Sequence, residues 1–179
     1  MKPAWVFIRH GESVANATGV LAGHTDSPLT QVGVAQAETL REQLSTLTVD
    51  HVWCSDLKRA SHTARAVFPH HPIRTDMRLR ERAWGAWEGV ERSELLSQGV
   101  SLIDPDLVPP RGETHQDVRE RARAVLSDTT SGTIAIVTHG GWIRAALSWI
   151  DQTETAGSLT LRIPNCGVQI RARTFPEIP

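Results

Sequence analysis

The sequence predicts an α/β fold of three layers, with helices on both faces of a mostly parallel central sheet. Three observations predict it. Short apolar runs alternate with segments that repeat their apolar residues at helical spacing. Two of those runs, Ala4 to Ile8 and Thr133 to Val137, are strand-length and each stops abruptly at a His-Gly pair. The 179 residues suit one domain, 1–179, with no linker, low-complexity segment or long repeat.

In chain order, Ala4 to Ile8 is a buried strand that delivers Arg9 and His10 to its C-terminal end. In open α/β sheets ligands bind outside those ends. Gly11 permits a sharp turn or a close backbone approach. Glu12 to Asn16 begins a short helix, and Gly19, Gly23, Asp26 and Pro28 make the next stretch a loop. Thr30 caps a helix over Gln31 to Ser45, with Gly33, Ala37, Leu40 and Leu44 on its apolar face. Val49 to Cys54 is the second strand. Ser55-Asp56 caps a helix from Leu57 to Phe68, whose buried stripe is Leu57, Ala60, Ala64 and Val67. Arg59 lies off that stripe near the helix N-terminus, a place that attracts anions.

Pro72 to Thr75 is a short strand. Arg78 to Gly89 fits neither period. Its two tryptophans, Trp84 and Trp87, beside Gly85, Gly89, Glu81 and Glu88 suggest a structured loop that walls a pocket. A short helix over Glu91 to Gln98 precedes a Pro-rich connection from Asp104 to Pro110. Glu113 to Asp128 is the best-patterned helix, with Val118, Ala122, Val125 and Leu126 on one face. The strand from Thr133 is followed by a helix over Trp142 to Trp149. Leu159 to Ile163 and Val168 to Arg173 are predicted as two final strands joined by a hairpin at Pro164-Asn165-Cys166-Gly167.

Composition excludes more than it assigns. The formal charge of −1 gives no hint of nucleic acid or an anionic membrane as partner. The N-terminal apolar run is too short for a signal peptide, and no run approaches bilayer length, so a cytoplasmic location is expected. Cys54 and Cys166 read most simply as free thiols in a reducing compartment, with a single disulfide left open. Of 19 basic residues only Lys2 and Lys58 are lysine. Codon bias explains much of that excess, so only individually placed arginines carry an argument. No His/Asp/Glu/Cys spacing supports a metal site.

Arg9-His10, Arg59, Glu81 and His139 can meet at one rim. That set suits phosphoryl transfer, where catalysis is mostly positioning and charge stabilisation. Arg9 and Arg59 supply bidentate grips, and His139, if protonated, adds a donor. His10 is the candidate nucleophile and needs a neutral ring held in one tautomer, for which a backbone carbonyl in its own turn would serve. Glu81 is the candidate acid and base, and that role needs a raised pKa. Glu88 lies in the same loop and competes for the assignment.

The chain resembles the histidine phosphatase superfamily, which includes cofactor-dependent phosphoglycerate mutase and many small phosphatases. Arg9-His10-Gly11-Glu12 is similar to that family's Arg-His-Gly signature. Gly23 with Asp26-Ser27-Pro28-Leu29-Thr30 and Gly33-Val34-Ala35-Gln36-Ala37 resembles its next block. Ser55-Asp56-Leu57-Lys58-Arg59-Ala60 with Thr63-Ala64 is like the second-arginine block. Glu81 with Gly85-Ala86-Trp87-Glu88-Gly89 is like the acid/base block, and Gly112-Glu113-Thr114 and Thr138-His139-Gly140 complete the series. The resemblance implies a phosphoglycerate-mutase-like fold and a phosphohistidine formed at His10. It also implies Glu81 as proton donor and a phosphate pocket of Arg9, Arg59 and His139, with Ser13, Asn16, Gly23 and Gly140 as further phosphate contacts. It implies no cofactor and a small phosphorylated metabolite as partner; the oligomeric state stays open, a homodimer included.

Within the family, the short, neutral-to-acidic stretch from Gly89 to Gly112 and the absence of tyrosine favour a phosphatase over a phosphoglycerate-type mutase. A catalytically silent binder on the same fold would be expected to lack one of the five site residues, and all five are present. His24, Trp84 and Arg111 are left open as substrate contacts.

Overall fold

The computed structural model describes residues 3–129, 131–153 and 155–173. Its elements are β1 (Ala4–Arg9), α1 (Val14–Ala17), α2 (Gln31–Gln43), β2 (His51–Cys54), α3 (Lys58–Val67), β3 (Ile73–Thr75), α4 (Arg92–Ser97), α5 (His115–Ser127), β4 (Ile134–Thr138), α6 (Gly140–Ile150), α7 (Thr155–Leu159) and β5 (Val168–Ala172). The sheet order is β3-β2-β4-β1-β5. Four strands run parallel, and β5 pairs antiparallel with β1 at the edge.

Residues on the strands alternate between two cores, as a period of two requires. Trp5, Phe7, Trp53, Ile134 and Ile136 face α5 and α6, where they meet Val118, Ala122, Val125, Leu126, Trp142 and Ile143. Val6, Ile8, Val52, Ala135 and Val137 face α2 and α3, against Ala37, Leu40, Ala64 and Val67. Burial on both faces is why the central strands read as continuous apolar runs.

The parallel register pairs Ile8 with Val137 and Arg9 with Thr138. The His10 amide donates to the Thr138 carbonyl at 2.9 Å. The two His-Gly turns therefore leave the sheet side by side.

Three expectations are corrected. Leu159 to Ile163 is not a strand: α7 ends at Leu159, and 160–167 carries no ladder. Leu159 and Ile163 are buried, and Ile163 packs into the core without pairing, so a short apolar run was ambiguous. Pro164 to Gly167 is then a turn leading into β5, with Cys166 at φ +54°, and not a hairpin. Ser55-Asp56 does not cap α3 from the expected position. The N-cap is Leu57, and the Lys58 amide is taken by Asp26 Oδ1 at 2.9 Å, while Asp56 pairs with Arg80. Cys54 and Cys166 are free thiols. Among the described residues no helix is long and apolar enough to cross a membrane.

Gly11 and Gly33 let the β1–α1 turn press against the start of α2. A Cβ on Gly33 would lie 2.0 Å from the Glu12 carbonyl oxygen, and one on Gly11 would lie 2.4 Å from the Gly33 oxygen. Gly33→Ala sets the helix preference for alanine, worth about 1 kcal/mol, against that backbone clash. The clash wins because neither atom is on a flexible side chain. The expected outcome is a net loss of roughly 1–3 kcal/mol, read as a fall of several degrees in Tm. An unchanged or raised Tm would contradict the close approach.

Candidate active site

His10, Arg9, Arg59 and Glu81 line one cavity with Asn16, Gly23, Trp84 and Arg92. The ring centroids of His10 and His139 are 5.0 Å apart, at 62°. His10 Nδ1 lies 2.7 Å from the Gly11 carbonyl oxygen. A carbonyl only accepts, so Nδ1 carries the proton and Nε2 keeps its lone pair. Burial pushes the His10 pKa down to about 3, helped by the charges of Arg59 and Arg9.

Arg59 is 2% exposed, so its place off the apolar stripe of α3 does not put it in solvent. It turns into the site. Nη2 donates to the Gly23 carbonyl at 2.7 Å and Nη1 to the Thr25 carbonyl at 2.9 Å. Its Nε donates to His139 Nδ1 at 3.3 Å. That bond fixes the other tautomer on His139, with the proton on Nε2. The condition under which His139 would act as a cation is therefore not met. Burial and the nearby Arg59 hold its pKa well below the usual value, and it offers one N–H as a neutral ring. The first amide of α3, beside Arg59, is taken by Asp26.

Arg9 donates from Nη1 to the Ile163 carbonyl at 2.7 Å. Its Nε and the Nε2 of His139 are buried without hydrogen-bond partners. An unmet buried donor costs about 1–3 kcal/mol, so these are places where an acceptor would bind.

Glu81 accepts from the Arg82 amide through Oε1 at 2.8 Å and from the Gly141 amide through Oε2 at 3.1 Å. Burial pushes its pKa up, but the Arg144 charge, the two amides and Arg59 outweigh burial and hold it below the ordinary carboxyl value. The raised pKa expected for an acid is therefore not found in this environment. Glu88 is committed elsewhere: its oxygens accept from the His24, Thr25 and Trp84 amides and the Thr25 hydroxyl. It clasps two loops and is no free acid.

Ser13 is buried and spent on a capping box with Asn16. Asn16 Oδ1 also accepts from Asn165 Nδ2 at 3.0 Å, and Asn16 reaches the cavity while Ser13 does not. Gly23 acts through its carbonyl on Arg59. Gly140 opens α6 beneath Arg9. His24 Nε2 lies 2.9 Å from the Glu81 carbonyl oxygen, so it is tied to the acid loop. Trp84 lines the cavity, and Arg111 is exposed. Among the described residues no group of three or more His, Cys, Asp or Glu could hold a metal.

Arg92 and Arg144 were not singled out by sequence reasoning. Arg92 lines the cavity, and Arg144 lies within its electrostatic reach. The signal for Arg144 was a lone cation in the otherwise apolar start of α6. Arg92 carried none.

The fold and the paired imidazoles between arginines define a phosphoryl-handling α/β enzyme. A family model of the histidine phosphatase superfamily (branch 1) matches residues 5–174, and the chain belongs to that family. It is 32% identical over 146 residues to the adenosylcobalamin/alpha-ribazole phosphatase of Escherichia coli, covering 75% of this chain and 72% of that one. It is 39% identical over 129 residues to the fructose-2,6-bisphosphatase TIGAR of Xenopus tropicalis, covering 67% of this chain but 47% of that protein, so it spans about half that relative's length. The solved structure of Bacillus stearothermophilus YhfR superposes with a TM-score of 0.85 at 29% identity, covering 94% of this chain and 90% of that one.

A depressed histidine pKa has a definite sign. The unfolded imidazole takes a proton near 6.5 and the folded His10 only near 3. Stability from this group is full above the unfolded value and is lost as pH falls between the two. The expected NMR result is a neutral His10 ring, protonated at Nδ1, from pH 7 to pH 4 in the folded protein. Titration of His10 near its ordinary value would contradict the burial account.

Proposed function

We propose that the chain hydrolyses a small phosphomonoester through a phosphohistidine on His10. The observation that carries the reading is the His10 Nδ1 bond to its own turn, 2.7 Å from Gly11 O. It leaves the Nε2 lone pair as the one nucleophile at a cavity flanked by Arg9 and Arg59.

In the first step Nε2 forms a bond to phosphorus and the ester P–O bond breaks. The departing alkoxide takes a proton from Glu81. In the second, water attacks phosphorus and gives its proton to Glu81, and the N–P bond breaks. Arg9, Arg59 and the His139 Nε2–H hold the equatorial oxygens, where charge accumulates. Glu81 must gain its proton on substrate binding. The incoming phosphoryl charge offsets Arg144 and Arg59, which are among the groups that hold the carboxyl ionised.

The relatives named as phosphatases support hydrolysis over transfer, as does the lack of tyrosine. A small phosphorylated metabolite fits a cavity whose walls are polar.

Replacing Glu81 with alanine should slow hydrolysis of an alkyl phosphate by roughly 10²–10⁴-fold. Hydrolysis of p-nitrophenyl phosphate, whose leaving group needs no proton, should fall far less. Equal losses on both would contradict the acid role. Charge stabilisation by guanidinium groups leaves no step for a metal, so EDTA should leave turnover unchanged; inhibition reversed by a divalent ion would overturn that.

A further inference from the structure

Glu81 stands on a backbone that belongs to no helix or strand. Residues 80–84 lie between two 3-10 turns, Met77–Leu79 and Gly85–Trp87. Carbonyls without a ladder need other partners, and here one guanidinium takes several of them. Arg121, on α5, donates from Nη1 to the Arg78 carbonyl at 2.7 Å and to the Arg80 carbonyl at 3.0 Å. From Nη2 it donates to the Glu81 carbonyl at 3.1 Å. Its Nε and Nη2 also close a fork on the Glu113 carboxylate, at 2.8 Å each. Those five bonds use every N–H of the guanidinium.

The link to the Glu81 side chain runs through one peptide unit. The Glu81 carbonyl and the Arg82 amide share a rigid plane and point to opposite sides of the chain. Arg121 holds the carbonyl end, where His24 Nε2 also lies at 2.9 Å. The amide end donates to Glu81 Oε1 at 2.8 Å. Glu113 Oε2 accepts from the next amide, that of Ala83, at 2.8 Å. The plane is therefore fixed from both sides, and it fixes the carboxyl in turn. No α5 side chain among the described residues lines the cavity, so Arg121 reaches the chemistry only through its neighbours.

We propose that Arg121 is a positioning residue for Glu81: through the Glu81–Arg82 peptide it aims the carboxyl at the oxygen that leaves phosphorus. The inference rests on Glu81 as the proton donor and deepens that reading. Arginine suits the task because its planar fork sets several acceptors in fixed directions at once, whereas lysine offers a point charge on a flexible stem. Glu113 shares the task by holding the guanidinium from its other side.

The test compares kcat/KM on an alkyl phosphate and on p-nitrophenyl phosphate, for the unmodified protein, Arg121→Lys, Glu81→Ala and the double variant. A misaimed acid costs rate only where the leaving group needs a proton. Arg121→Lys should lower kcat/KM for the alkyl phosphate by roughly tenfold to hundredfold and leave the nitrophenyl ester nearly unchanged. The second substrate also reports that the pocket has stayed folded. Added to Glu81→Ala, Arg121→Lys should cost nothing further, as expected of two groups that act as one. Glu113→Gln, which keeps the volume but breaks the fork, should show the same selectivity, and it carries the test if Arg121→Lys does not fold. Equal losses on both substrates would overturn the inference, because a general loosening, or a change in the Arg121 charge felt at His139, slows both. No loss on either, or a further loss in the double variant, would overturn it too. The two readings fall separately. If Glu81→Ala discriminates between the substrates and Arg121→Lys does not, positioning by Arg121 falls alone. Equal losses in Glu81→Ala remove the proton donor and this inference with it.

Discussion

The parallel pairing of β1 with β4 is the constraint on which the site depends. Once Arg9 stands opposite Thr138, the next residue on each strand is a histidine, and the two rings must leave the sheet as neighbours. Their 5.0 Å separation follows from strand spacing. The turn after His10 can press against α2 because glycine stands at 11. The sheet thus places the nucleophile candidate and its companion donor without any loop having to find them. The register itself is secured by Trp5, Phe7, Ile134 and Ile136 packing on one face and Val6, Ile8, Ala135 and Val137 on the other. A one-residue slip would exchange those faces.

Burial then decides the charge states. Two imidazoles buried among arginines both stay neutral, and the protein settles the tautomer of each with one hydrogen bond. His10 gives its Nδ1 proton to the Gly11 carbonyl, and His139 accepts on Nδ1 from Arg59. The same ring thus carries opposite tautomers at the two positions. One presents a lone pair at its far nitrogen, the other an N–H. The arginines keep the positive charge, which suits them better than histidine because their intrinsic pKa leaves far more room for desolvation. Glu81 is held ionised by that surplus together with the Arg82 and Gly141 amides.

The layers, the strands that bear the histidines and the order of the helices were legible because they rest on local periodicity and caps. Thr30 capping α2 at Gly33 is one example. The residues brought to the rim were legible too, because His10, Arg59, Glu81 and His139 stand in recognisable blocks. What sequence could not give was long-range. Leu159 to Ile163 reads as a strand until one knows that Ile163 is wanted in the core and its carbonyl by Arg9. Asp26 capping α3 joins residues 32 apart. Glu81 was expected with a raised pKa and the charge of His139 was left open, since their neighbours Arg144 and Arg59 are set by packing and not by sequence spacing. Arg144 was not singled out at all, because its pull on Glu81 is set by packing.

The central claim is that His10 carries the phosphoryl group. Mixing the protein with a radiolabelled phosphomonoester, quenching within milliseconds under alkaline conditions and mapping the label by peptide analysis addresses it directly. The account expects a phosphoramidate on His10, stable to base and released by acid, formed and lost at rates that match turnover. Label on another residue, or turnover with no protein-bound phosphate at any quench time, would contradict it.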